Sequence, residues 1–346
     1  MQMMTTTAWQ AALNADPLPW LLEDQDPAVR HLALQRLLAE DRDAPAVRGA
    51  RAAAMASHPI ATFLDAQDPD GWWMMPGSGY GPKYRSTVWT LIFLDQMGAD
   101  GSDQRIRRGC EYLLEHAQAA SGGIGMRGGK ETVKPPPPST VIHCLNGNIL
   151  RALIGFGLLG DERVAQVIAW QAAAITGDGG IDYYASGTAG PGFRCAANDG
   201  MPCAWGATKV LLALARIPPE QRDTSVTAAL DATAEFLLSR DPAIADYPMG
   251  YGNTKPNGSW FKLGFPSGYV ADVLQVLEGL ADAGRAADER LSHALDWLLS
   301  QQDEQGRWRN RYAYTGKLIA DIDAQGRPSK WVTLRACAVL RAMLGD

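Results

Sequence analysis

The feature that most constrains this chain is a helix pair that recurs with a spacing of about sixty residues, because a unit of that size cannot bury its apolar side alone and must stack on its neighbours. One member of each pair is almost uniformly apolar: STVWTLIFLDQMG from 86, CLNGNILRALIGFG from 144, CAWGATKVLLALA from 203, GYVADVLQVLEGL from 268 and WVTLRACAVLRAML from 331. The other is apolar on one face, as in IRRGCEYLLEHAQ from 106, VAQVIAWQAAAITGDGG from 164, ALDATAEFLLSRDPA from 229 and LSHALDWLLSQQDEQGRW from 291. A Gly- or Pro-containing loop stops each of these. Helices apolar all round are buried and one-faced helices are surface elements. The alternation therefore predicts an inner ring of parallel helices sheathed by an outer antiparallel ring.

Residues 17–56 precede the ring, and DPAVRHLALQRLLAE from 26 reads as an N-capped amphipathic helix packed outside it. The expected division is an N-terminal helical extension over 1–56 and a catalytic or binding domain over 57–346.

Bulk properties exclude several function classes. Of 346 residues, 46% are hydrophobic and 20% charged, and no apolar run reaches membrane-spanning length. The formal charge of −6 comes without any basic block, which argues against a nucleic-acid partner. MQMMTTTAWQAALNADPLPW lacks the basic and apolar regions of a secretory leader, so a cytoplasmic location is expected. Five cysteines in such a chain read as packing, metal ligation or chemistry rather than a disulfide framework. Eleven tryptophans against seven phenylalanines suit either repeat packing or a ligand cavity, since tryptophan combines area with a π-face. Oligomeric state is not legible.

The endings QDPDGWW at 67–73 and QDEQGRW at 302–308 resemble the QW-type repeats of the squalene–hopene cyclases and the prenyltransferase/squalene-oxidase repeat superfamily. The likeness covers about residues 57–346 and implies an all-α fold, an α/α toroid (barrel) of about five to six helix pairs. That toroid also carries zinc prenyltransferases, lanthionine cyclases and glycan enzymes, so it implies no single activity. Class II terpene cyclases start their reaction with an Asp-x-Asp-Asp motif, and DIDA at 321–324 lacks its last acid.

Parallel inner helices bring their N-termini round one mouth of the central cavity. Aligning the repeats on their glycines puts Cys144 and Cys203 at equivalent first-turn positions, with Arg85, Gly268 and Trp331 in the other copies. One turn further in, the ring reads Trp89, Asn148, Ala207, Asp272 and Arg335. A helix N-terminus favours thiolate over thiol, so Cys144 and Cys203 are expected to be more reactive than Cys110 or Cys337. Cys195 lies in the loop leading to the same mouth, His143 adjoins Cys144, and Asn198 and Asp199 are placed to fix the loop.

Three readings of this cluster stay open. Small residues fill crowded helix starts, and free cysteine is commonly buried. Alternatively, Cys144, Cys195, Cys203 and His143 or Asp199 form a zinc-thiolate site, as lanthionine cyclases do at the comparable end of their toroid, although the spacing contains no C-x-x-C pair. The third reading is metal-free acid–base or covalent work. HCLNGNILRAL and GFRCAANDGMPC resemble the arrangement in linalool dehydratase-isomerase, which implies that His143, Cys195 and Cys203 act on an allylic alcohol; the gap between the cysteines is one residue shorter here.

Asp272, set in an apolar helix, is a candidate general acid with a raised pKa, or a structural hydrogen-bonding group. Lys83, Tyr84 and Arg85 precede one inner helix and Lys330 and Trp331 another, so they could hold an anionic group or pair with surface carboxylates. Trp89, Asn148, Trp205, Trp260, Phe265 and Tyr269 complete the expected lining, and aromatic faces stabilise cations. Trp72 and Trp308 read as staples between helices. KETVKPPPPST at 130–140 is expected to be a polyproline strut, and the aromatic loop over 246–268 to close on ligand.

These readings combine into an enzyme of the terpene cyclase-like, isomerase or hydro-lyase type, acting by acid–base chemistry on an apolar isoprenoid-like small molecule, with no cofactor. The alternatives are a zinc-thiolate enzyme and a non-catalytic carrier or scaffold for a hydrophobic ligand.

Overall fold

The computed structural model describes residues 7–126, 135–181 and 189–345. In chain order its helices begin with α1 (Ala8–Ala11), α2 (Leu18–Leu21), α3 (Pro27–Arg36), α4 (Pro45–Met55), α5 (Ile60–Asp65), α6 (Thr87–Gln96) and α7 (Gln104–Ala117). There follow α8 (His143–Gly155), α9 (Glu162–Thr176), α10 (Ala204–Leu214), α11 (Thr224–Leu238), α12 (Val273–Asp282), α13 (Ser292–Ser300) and α14 (Lys330–Leu344). Two short antiparallel strands, β1 (Ala189–Gly190) and β2 (Arg194–Cys195), are the strands among the described residues. None of the described helices is long and apolar enough to cross a membrane.

The uniformly apolar helices α6, α8, α10, α12 and α14 stand side by side in that order, and the one-faced α7, α9, α11 and α13 each lie outside the helix before them. This is the all-α toroid. α3 packs on α14, and its side chains His31, Leu32, Gln35 and Arg36 face the interior beside Asp95, Arg151 and Arg335. The segment expected to sit outside the ring therefore contributes to its inner wall. Its amphipathic pattern and its place before the repeats made it read as an outer helix, but His31 and Ala33 are buried.

One bond repeats at the start of three inner helices and sets their register. A side chain near the helix start accepts from the loop before it: Thr87 from Trp73 N (3.0 Å), Asn146 from Ile124 N (2.7 Å) and Thr333 from Trp308 N (2.9 Å). This places Arg85, Cys144 and Trp331 at equivalent positions. The outer helices share a second device. Asp103, Asp161 and Asp288 each accept from the backbone N–H two residues on and also grip that residue's guanidinium, which reaches a carboxylate of the preceding outer helix: Asp65, Glu111 or Glu235. Such exposed pairs add little energy singly, about 0–1 kcal/mol, and mainly orient the helices.

The loop from Leu263 to Gly268 does not cover the mouth. It is buried inside the ring, held by Gln96, whose amide meets both the N–H and the carbonyl of Ser267 at 2.7 Å, by Asn148 to Gly268 O (3.1 Å) and by Arg335 to Gly264 O (3.0 Å). Three inner helices thus supply the hydrogen bonds its buried backbone needs. The loop forms a partition with one cavity on either side.

Of 130–140, residues 130–134 lie outside the described residues. Pro136 packs against Gly125, and Pro138–Thr140 form one 3-10 turn.

Candidate functional site

Inner-helix starts converge on a cavity of about 490 Å³. Tyr80 and Lys83 come from the approach to α6, Cys144 from the first turn of α8, Cys203 and Trp205 from the start of α10, and Tyr269 from the approach to α12. Cys195, Asn198, Tyr247, Tyr251 and Trp260 close the wall from two loops. Lys83 Nζ lies 4.8 Å from the Tyr269 ring centre and 5.2 Å from that of Tyr84, and Trp89 stacks edge-on against Tyr269 at 4.9 Å behind them. Buried without a hydrogen-bond partner in the protein, the Tyr269 hydroxyl is held well above its ordinary pKa by desolvation.

The thiol loop is fixed by Asn198. Its side-chain amide donates to Pro202 O (2.8 Å) and Pro248 O (3.1 Å), while its oxygen accepts from Gly250 N (3.1 Å), which ties the cysteine loop to the tyrosine loop. Gly250 is required for this approach, since a Cβ there would stand 2.3 Å from that of Asp199.

Within the loop, Cys195 and Cys203 lie side by side at the cavity wall, and the neighbouring thiol brings the Cys195 pKa down to about 6 against the opposing effect of burial. The N–H groups of Ala197 and Asn198, at the start of a 3-10 turn, favour the thiolate further. The neighbouring Cys195 and burial together hold Cys203 well above 9. Burial pushes Cys144 up to about 12. At Cys144 desolvation outweighs the pull of the helix N-terminus, so the activation expected there is absent, and a lowered thiol pKa belongs to the Cys195–Cys203 pair.

Lys83, Cys144, Cys195, Cys203, Trp205, Trp260 and Tyr269 meet in one place. Several expected partners do not join them. His143 points between α8 and α9, its Nδ1 2.7 Å from Gln171 Nε2 and its ring near Trp170 and Phe193. Asp272 is not inside a helix but is the N-cap of α12, accepting from Gln275 N (2.9 Å) and Gly264 N (3.0 Å). One of its oxygens caps α12 and the other holds the partition loop at Gly264, although burial raises its pKa as expected. Phe265 and Trp331 stack at 4.4 Å on the far side of the partition. Arg85 donates to the carbonyls of Gly316 and Lys317, Tyr84 packs against Tyr314, and Trp89 and Asn148 are buried behind the lining.

Among the described residues no three His, Cys, Asp or Glu side chains come together as a metal-binding group. With His143 turned to Gln171, the residues present do not fit the zinc-thiolate centre of the alternative reading.

Sequence reasoning missed Lys209. It is buried in α10, with Nζ on Gln275 Oε1, and desolvation lowers its pKa to about 7. A lone cation inside the apolar run ATKVLLALA was the available signal. Tyr247 and Tyr251 were missed because their loop position carries no periodicity.

Fold and site define the class as an α/α toroid with a thiol-bearing cavity at its inner-helix starts. No protein-family model and no curated protein matches this chain. Solved structures do. A family 88 glycosyl hydrolase from Bacteroides vulgatus is similar with a TM-score of 0.50 and 11% identity over 92% of this chain and 91% of that one. A polysaccharide lyase gives 0.50 and 12% over 92% and 89%. A type II terpene cyclase from Scytonema gives 0.33 and 12% over 92% and 97%. The first two likenesses support the toroid fold.

Proposed function

We propose that the protein is an enzyme of the hydro-lyase or isomerase type that handles an unsaturated, largely apolar small molecule with the Cys195–Cys203 pair as its acid–base couple. What supports this reading is that two neighbouring thiols, Cys195 and Cys203, line the wall of one aromatic cavity, where their coupling favours a single shared proton. A general base works best with a pKa near the working pH.

In the dehydration direction Cys195 takes a proton from carbon, Cys203 gives its proton to the departing hydroxyl, and an alkene and water form. A proton passed from Cys195 to the neighbouring Cys203 then restores the starting state. Trp205, Trp260 and Tyr269 offer π-faces to positive charge developing on the substrate. The Lys83 ammonium at the same wall suits an oxygen-bearing end. Five free cysteines fit a reducing, cytoplasmic setting.

The test is turnover of a panel of terpenoid allylic alcohols and alkenes by wild-type, Cys195→Ala and Cys203→Ala proteins. The reading expects losses of about 10²–10⁴-fold in kcat for either variant. Activity on any substrate that survives both substitutions would overturn it, as would turnover of saccharides alone.

A further inference from the structure

The interior has a second cavity, on the other side of the partition loop. Phe265 and Ser267 of that loop face it, whereas Tyr269 faces the thiol cavity. Its walls come from the C-terminal parts of inner helices: Arg36 of α3, Asp95 and Gln96 of α6, Arg151 and Gly155 of α8, and Arg216 just beyond α10, with Arg335 of α14. Helix C-termini repel anions, so cations collect there readily.

The arginines collected there outnumber the carboxylates near them. Six arginines line the cavity, Arg36, Arg42, Arg51, Arg151, Arg216 and Arg335, against two lining carboxylates, Asp95 and Asp100, in a chain whose net charge is −6. Both carboxylates are taken: Asp95 by Arg216 at 2.6 Å, Asp100 by Arg51 at 3.2 Å. Arg335 is matched by Glu278, both of whose oxygens lie within 3.0 Å of its Nε. Arg36, Arg42 and Arg151 make no ion pair within 4.0 Å among the described residues, although Glu278 and Asp282 act on Arg36 and Arg151 from further off and Asp100 on Arg42. Arg151 Nε is shielded from solvent and has no hydrogen-bond partner. Arg151 is only half-buried and lines the cavity, so a counter-charge can reach it there. Burial and the neighbouring Arg216 together push the Arg151 pKa down to about 10.

The arrangement is also built rather than accidental. Gly155 leaves the space in which Asp95 and Arg216 meet, since a Cβ there would stand 2.1 Å from Asp95 Oδ1 and 2.3 Å from Arg216 Nη1. With Asp95 committed to Arg216, it is not available to Arg151.

We propose that this cavity is a binding site for a compact oxyanion carrying two or more negative charges, held by Arg36, Arg42 and Arg151. Its volume of about 200 Å³ is below the roughly 300–1,000 Å³ of pockets for drug-sized ligands, so the ligand is small. Guanidinium forks match phosphate and carboxylate oxygens in pairs, and phosphoryl and polycarboxylate anions share the chemistry the site requires. The site stands apart from the thiol cavity and does not depend on what the thiols do.

Isothermal titration of the full chain at low ionic strength with pyrophosphate, inorganic phosphate and citrate tests this directly. Pyrophosphate or citrate is expected to bind, with an affinity that falls as salt is added, and the stronger of the two identifies the ligand as phosphoryl or carboxylate. In Arg36→Ala/Arg42→Ala, at two exposed positions, binding should weaken at least about tenfold per guanidinium lost, with an unchanged circular dichroism spectrum confirming the fold. Arg151→Gln should weaken it similarly, since it removes a guanidinium that lines the cavity. Absence of binding by all three anions, or an affinity unchanged in the double variant, would overturn the proposal. Alkylation of Cys195 in the same variants should be unaltered.

Discussion

Trp73 and Trp308 hold the same place in two different repeats: each indole Nε1 donates to the backbone carbonyl ten residues before it, Phe63 O at 2.7 Å and Leu298 O at 2.8 Å. Tyr247 does the same in a third copy, its hydroxyl donating to Leu237 O at 2.8 Å. Each ring closes an outer helix onto the loop that follows it, and both indoles are fully buried. Trp308→Ala should cost about 3–5 kcal/mol, as expected for loss of a large core aromatic. Trp308→Phe should cost less while still leaving Leu298 O short of a donor. Chemical denaturation of both variants checks the order.

Iodoacetamide alkylation followed by mass spectrometry should find Cys195 reacting with a midpoint near pH 6. Removing the neighbouring thiol in Cys203→Ala should move that midpoint up towards the ordinary thiol value of about 8.5. Cys110, buried in the core with its pKa raised to about 12, should stay unlabelled throughout. A midpoint unmoved by Cys203→Ala would show that the two thiols do not share a proton.

His31 is buried, and desolvation lowers its pKa to about 4, with Arg51 and Arg36 adding to the effect. Between pH 6.5 and 4 the unfolded chain binds a proton there that the folded chain does not. Stability from this group is therefore complete above pH 6.5 and is lost as pH falls towards 4, by up to about 3 kcal/mol. His31→Gln should flatten that part of the stability–pH curve. Urea midpoints across the range measure it.

α8 and α10 touch backbone to backbone at Gly147, where a Cβ would lie 2.4 Å from the Lys209 carbonyl carbon. Gly147→Ala should destabilise by about 1–3 kcal/mol through overpacking, despite alanine's better helix propensity. It should also disturb the buried Lys209–Gln275 contact. A melting temperature equal to wild type would refute the close approach.

Asp272 offers a contrast with the thiols. As an N-cap whose removal leaves Gly264 N and Gln275 N unpaired in the core, Asp272→Ala should cost about 1–3 kcal/mol. The Cys195 alkylation midpoint should not change. A variant that loses turnover while keeping its melting temperature would instead mean that this carboxyl takes part in chemistry.

Helical periodicity and repeated glycines were enough to read the ring, its alternation of buried and one-faced helices, and the meeting of Cys144 with Cys203, because those properties follow from the sign and spacing of side chains along each helix. The proximity of Cys195 to Cys203 was legible from their shared loop. Which sulfur is activated was not, since that depends on the balance between desolvation and donated hydrogen bonds. Nor did periodicity reveal that Leu263–Gly268 enters the ring, that His143 and Asp272 turn into structural bonds, or that arginines from α3, α8 and α14 meet at the far end. These are relations between residues far apart in the chain. They arise only when packing decides which polar groups lose water and which partners they find there.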